Sequence, residues 1–195
     1  LLELDLLKLH PQMVNHGMGY YERWFTEGRN SRWGHTVGNV EDVDKYRAQE
    51  LAYGHAGFIG SISTDNVQWV AKEHHLCHPI QALYGTAKPV AIGYEVEGQI
   101  VPASIALAVG DTSRQCIKYD SGLKLWVNWR AEPWKIGPVT LPQWGFWADG
   151  PQTNVWTALY DGKLADYADC PEYVFADART NFDMPYRWAG VDVEP

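Results

Sequence analysis

Apolar and polar positions change their rhythm near the middle of the chain. Residues 1–10 (LLELDLLKLH) place Leu2, Leu6 and Leu9 on one helical face, and Pro11 closes that turn. Residues 13–14 open a short strand, and His16-Gly17-Met18-Gly19 interrupts regular structure before a short helix over 20–27. Residues 41–53 predict a helix with Val43, Tyr46, Ala48, Leu51 and Ala52 as its apolar set, ended by Gly54. The run 55–60 (HAGFIG) reads as a strand buried on both faces. A second long helix follows over 67–84, with Pro79 predicting a kink or break near His78. After Lys88-Pro89 the helical period disappears. Strands are predicted over 90–96, 99–109, 115–119, 123–129, 139–148, 153–160, 163–168 and 173–178, separated by Gly, Pro and Asp turn signals. In the hairpin around Asp120-Ser121-Gly122, Leu123, Leu125, Val127 and Trp129 share one face, and Lys124, Trp126 and Asn128 share the other.

This pattern divides the chain into an α/β part, residues 1–87, and an all-β part, residues 88–195. Strand–helix–strand–helix in the first part is the logic of a parallel β/α sheet. Two strands cannot complete a (β/α)8 barrel, so the expectation is the final portion of a barrel whose earlier units lie upstream in the same polypeptide. Regularly spaced short strands in the second part predict an antiparallel β-sandwich.

The 195 residues include 16 Lys and Arg against 24 Asp and Glu, a net charge of −8, so no general positive field awaits a nucleic-acid backbone. No apolar stretch approaches the roughly 18 residues of a membrane-crossing helix. Three cysteines without a C-x-x-C pair argue against a zinc ribbon, a dithiol redox site or a disulfide scaffold. The unusual feature is aromatic: 10 Trp, 11 Tyr and 5 Phe. So many large rings must either pack or stack on a ligand.

The passage 119–145 (YDSGLKLWVNWRAEPWKIGPVTLPQWG) resembles the closing sandwich of large TIM-barrel glycoside hydrolases. The likeness rests on Asp120, Gly122, Val127-Asn128 and Leu141-Pro142-Gln143-Trp144-Gly145, and the passage 45–84 is similar to the last barrel units of those proteins. It implies hydrolysis of glycosidic bonds by a pair of carboxyl groups, with carbohydrate as partner and no cofactor. One or both of those carboxyls are then expected upstream of Leu1.

Candidate site residues follow from where a barrel strand would end. Glu22, beside Tyr20 and Tyr21, is the candidate catalytic carboxyl; its alternative is a solvated helix acid paired with Arg23 or Lys45. His16 and Tyr20 are candidate sugar contacts. Trp33, with Arg32 and His35 beside it, combines a stacking ring with hydrogen-bond donors. Asp65 follows the 55–60 strand on the side where a site would lie, though it also serves as a helix cap. His74 and His78 share a helix face, but HExxH is absent and no metal site is expected. Trp126 either stacks on a sugar or covers a seam between the two parts. The rival reading of the whole chain is a non-catalytic carbohydrate-binding or structural module, which predicts exposed aromatics along one flat face.

Overall fold

The computed structural model describes residues 40–54, 67–179 and 191–193. Two helices lead: α1 (Val40–Tyr53) and α2 (Val67–Tyr84). Then come β1 (Pro89–Val96), β2 (Gln99–Val101), the short helix α3 (Ala103–Val109), β3 (Arg114–Tyr119) and β4 (Lys124–Asn128). The chain continues through β5 (Trp134–Ile136), β6 (Val139–Leu141), β7 (Phe146–Gly150), β8 (Thr153–Tyr160), β9 (Lys163–Cys170), β10 (Tyr173–Asp177) and β11 (Val191–Val193). All strands join one sheet in the order β11-β10-β9-β8-β7-β4-β3-β1-β2, and the β5–β6 hairpin attaches to β8 at Thr140↔Leu159. Every pairing is antiparallel.

The core lies between one face of this sheet and the first two helices. One register row crosses six strands as Ile117, Leu125, Ala148, Val155, Ala168 and Phe175, none more than 1% exposed. Ala48, Leu51 and Ala52 of α1 and Leu76, Ile80 and Tyr84 of α2 pack into the same cluster. Strict alternation along β3, β4, β7, β8, β9 and β10 makes this row continuous, because a period of two sends every second side chain to the same face.

The barrel expectation is therefore corrected. Among the described residues no strand pairs in parallel, and α1 and α2 do not cross over between parallel strands. Both lie on an antiparallel sheet, α1 against β4 and α2 against β8 and β9. The strand predicted over 55–60 lies outside the described residues. The antiparallel, strand-rich character predicted for the second part is what the structure has, as one continuous sheet.

Three local departures have physical causes. First, α2 continues through Pro79. Proline removes the N–H that would bond the carbonyl of His75, and a helix tolerates this when another donor takes that carbonyl. Tyr173 on β10 supplies it: its hydroxyl donates to His75 O at 3.0 Å. Replacing Tyr173 with phenylalanine should remove this hydrogen bond from a part-buried carbonyl and lower unfolding free energy by about 1–2 kcal/mol in urea titration. An unchanged midpoint would show that another group satisfies His75.

Second, the strand predicted over 99–109 stops at Val101, and residues 103–109 are helical. Pro102, extended at φ −68°, starts the helix. Gly110 at φ 74° ends it, with its N–H and that of Asp111 returning to Leu107 O and Ala106 O. Third, the run 139–148 breaks at residues 142–145. A side chain at Gly145 would meet Pro142 Cδ at 2.6 Å and Thr157 O at 2.8 Å, so only glycine fits there. Asn128, fully buried, pins this corner by donating to the carbonyls of Glu132, Leu141 and Pro142 at 3.0–3.1 Å. Among the described residues no helix is long and apolar enough to cross a membrane.

Candidate functional site

The face of the sheet opposite the helices carries a row of aromatic rings. Cross-strand register aligns Trp126 of β4, Trp147 of β7, Trp156 of β8 and Tyr167 of β9 side by side on four adjacent strands. Each is half-buried. Trp126 and Trp147 stack with centroids 4.6 Å apart and planes 18° apart; Trp156 and Tyr167 stack at 5.3 Å and 22°. Tyr160, 71% exposed, extends the second pair from Trp156 at 6.5 Å and 11°. The β5–β6 hairpin supports the row from beside it, packing Trp134 and Leu141 against Trp126, Trp147 and Trp156. At the far end Tyr167 pairs in register with exposed Ala176, so a small residue stands beside its ring.

A polar row runs parallel to the rings, one pleat repeat along the strands. Register aligns Lys118, Lys124, Asp149, Asn154 and Asp169. Trp147 Nε1 donates to Asn154 Oδ1 at 3.0 Å, and Tyr167 Oη donates to Asp169 Oδ2 at 3.4 Å, tying the two rows together. A groove of about 590 Å3 opens at this edge, lined by Asp149, Gln152, Asn154, Asp169 and Val174 among others. Alternation along the hairpin places Trp126 on this face, as expected. Trp126 stacks on Trp147, a neighbour in the same sheet, and packs with the β5–β6 hairpin and not with α1 or α2, so it covers no seam between the two parts among the described residues.

The helix-covered face holds a different constellation. Arg47 of α1 is 1% exposed and grips Glu73 of α2 through both Nη2 and Nε, the latter at 2.8 Å. Its Nη1 donates to Asp44 Oδ1 at 2.9 Å and to Thr157 Oγ1 at 3.2 Å. Lys72 bridges Asp166 at 2.5 Å and Asp177 at 2.8 Å. Arg179 clasps both oxygens of Asp44 and both of Asp166, at 2.5–2.9 Å. Burial alone would raise the Asp166 carboxyl, but Arg179, Lys72 and Arg47 outweigh it and hold that carboxyl far below the ordinary range. Burial lowers the Arg47 and Arg179 guanidiniums less than their carboxylate partners raise them, so both stay charged. A general acid needs the opposite shift, a carboxyl held protonated near neutrality. This network is therefore a buried ionic lock between α1, α2, β8, β9 and β10.

A second cleft, of about 1000 Å3, lies where Tyr53, Tyr94, Gln115, Trp129 and Arg130 meet. Its guanidinium is already engaged: Arg130 Nη2 bridges Asp111 at 2.5 Å. Trp129, on the face of Leu125 and Val127, is half-buried there and packs against the core cluster, with Tyr53 6.4 Å away and Trp144 5.9 Å away.

His16, Tyr20, Glu22, Trp33, His35 and Asp65, the site residues picked from sequence, all lie outside the described residues. His74 and His78 stack on each other at 4.8 Å. Burial, with the neighbouring His78 and His75, lowers the His74 pKa. Among the described residues no group of three His, Cys, Asp or Glu side chains is placed to hold a metal ion. Cys77, Cys116 and Cys170 are buried thiols. What sequence reasoning missed is the row itself. Trp147, Trp156 and Tyr167 were visible only as strand residues, and their alignment depends on the register of strands that sequence does not give. No protein-family model matches the chain, and no curated protein or solved structure is significantly similar to it.

Proposed function

We propose that this protein binds carbohydrate through the outer face of its sheet, as a non-catalytic module. The observation that supports this reading is the alignment of Trp126, Trp147, Trp156 and Tyr167 beside Asp149, Asn154 and Asp169. A sugar ring has an apolar C–H surface and a rim of hydroxyl donors. It is recognised by aromatic surface with a few fixed polar groups beside it. Asp149, Asn154 and Asp169 supply side-chain oxygens that accept from hydroxyls. Stacking within each pair, and the hairpin beside Trp126, Trp147 and Trp156, hold the indoles in place before a ligand arrives. Little side-chain entropy is then lost on binding.

Hydrolysis, the activity implied by the family resemblance, has no support from the described carboxyls. Those whose ionisation is clearly shifted, Glu95, Asp111 and Asp166, are all shifted towards the charged form. Binding needs no acid–base pair.

The test is titration of soluble oligosaccharides followed by tryptophan fluorescence and calorimetry, together with retention on insoluble polysaccharides. Trp156→Ala should weaken binding at least about tenfold, which is ~1.4 kcal/mol, while circular dichroism still reports a folded sheet. No binding across neutral, amino and acidic glycans, or a Trp156→Ala variant that binds as tightly as the parent, would remove the proposal.

A further inference from the structure

We infer that the cleft between α1 and α3 is a second binding site, for a neutral amphiphile: a hydrocarbon chain whose hydroxyl head donates to Gln115. The cleft lies on the helix-covered face of the sheet, away from the aromatic row, so the inference stands apart from the carbohydrate reading. Helix α1 packs on β4 and α3 on β1. Between them the sheet itself is the floor, with Tyr94 and Gln115 in register on adjacent strands. Tyr53, at the end of α1, and Trp129 stack on each other and line the α1 side; Leu107 and Val109 line the α3 side. The volume, about 1000 Å3, is at the upper end of the roughly 300–1,000 Å3 of clefts that hold small molecules.

The polar groups of the cleft say which head fits. Asp111 Oδ1 accepts the Ser113 N–H at 3.1 Å and the Ser113 hydroxyl at 2.6 Å, and its Oδ2 accepts Arg130. The two charges lining the cleft therefore neutralise each other. Gln115 is different. It is 4% exposed, its Nε2 reaches Ala52 O only at 3.5 Å, and among the described residues nothing donates to its Oε1. A nearly buried amide oxygen with an unused lone pair is a cost that a ligand's hydroxyl removes. A carboxylate head would set its own lone pairs against that oxygen. The rim says which body fits. Leu107 is 57% and Val109 58% exposed, and residues 98–110 carry no charged side chain. Aliphatic side chains held open along a cleft leave water when an apolar ligand covers them. Their branched surface suits a flexible chain, where the outer face offers flat rings to a sugar.

The experiment loads the full chain with the neutral fluorescent probe 1-N-phenylnaphthylamine at neutral pH. The probe is then displaced with 1-decanol, decyl methyl ether and decanoate, each below its solubility limit. Decanol and the ether carry the same chain, but only decanol can donate a hydrogen bond. Decanol should bind about tenfold tighter than the ether, the worth of one hydrogen bond to a buried acceptor, and decanoate should bind weakest. Gln115→Met should bring decanol to the ether's affinity and leave the ether within about twofold. Leu107→Ser with Val109→Ser, at exposed positions where the fold is not at stake, should weaken decanol and ether alike by at least about fivefold. A chain that does not take up the probe, an ether that binds as tightly as decanol, a decanoate that binds tightest, or a rim variant that binds decanol like the parent would each overturn the inference. Should Gln115→Met fail to fold, the decanol–ether margin and the rim variant still decide it. None of these outcomes bears on the carbohydrate reading, whose residues lie on the other face.

Discussion

Replacing Arg47 with methionine should lower the unfolding free energy by about 3–5 kcal/mol, measured by urea titration at neutral pH. The side chain is 1% exposed, and its removal takes the guanidinium fork from buried Glu73 and one contact from buried Asp44, which Arg179 still clasps. The cost is mostly theirs. A buried carboxylate that has lost its guanidinium keeps its desolvation penalty without the compensating attraction. Single domains are stable by about 5–15 kcal/mol, so a loss of this size threatens folding at physiological temperature. Arg47→Lys keeps the charge but not the planar fork that meets both Glu73 oxygens, so an intermediate loss is expected. Arg47→Met combined with Glu73→Leu should recover much of the single-variant loss, because it removes the buried carboxylate together with the guanidinium that compensated it. A single variant within about 1 kcal/mol of the parent would mean that α1 is held by its apolar contacts alone.

That network explains why the architecture of the first part was misread while its helices were found. The period of Val43, Tyr46, Ala48, Leu51 and Ala52 marks a helix correctly, and α2 runs over the predicted 67–84. What the period cannot say is that Arg47, Lys72 and Glu73 also face inward. Charged residues on a helix read by default as a solvated face. They are inward here because Thr157, Asp166 and Asp177, on one inner register row of the sheet, meet them. Pairs more than a hundred residues apart, such as Lys72 with Asp177, leave no local trace. The β part was more legible, because alternation is local. Leu123, Leu125 and Val127 are fully buried on one face, and Trp126 stands on the other. The misread helix at 103–109 had its markers in view, with Pro102 before it and Gly110 after it. The aromatic row was legible one strand at a time, and became a surface only when β4, β7, β8 and β9 were placed in register.

The pH dependence of stability should carry the signature of Asp166. This carboxyl accepts Lys72 at 2.5 Å, Arg179 Nε at 2.5 Å and Thr157 Oγ1 at 2.7 Å, and Arg47 stands 3.9 Å away. Burial works against its ionisation, but the three cations prevail and the folded-state pKa lies far below its ordinary value. In the unfolded chain it titrates near the usual aspartate value of about 3.9. Above that pH both states are ionised and the full stabilisation is present. Below it the unfolded chain takes up a proton that the native state refuses, so stability falls as pH drops towards the folded pKa. Asp166→Asn, close in shape but unable to ionise, should cost about 3 kcal/mol or more at pH 7. Its deficit should shrink steadily below about pH 4. The variant will keep a residual acid slope from Asp111, lowered first by its hydrogen bond from Ser113. Glu95 adds to that slope, because its burial is outweighed by hydrogen bonds from Arg114 and Gly98. Urea midpoints of parent and variant, taken from pH 7 to pH 2.5, decide the matter. Parallel curves across that range would mean that Asp166 releases its proton no more readily in the fold than in the unfolded chain. The lock between α2, β9 and Arg179 would then have to be credited to hydrogen bonding without net charge.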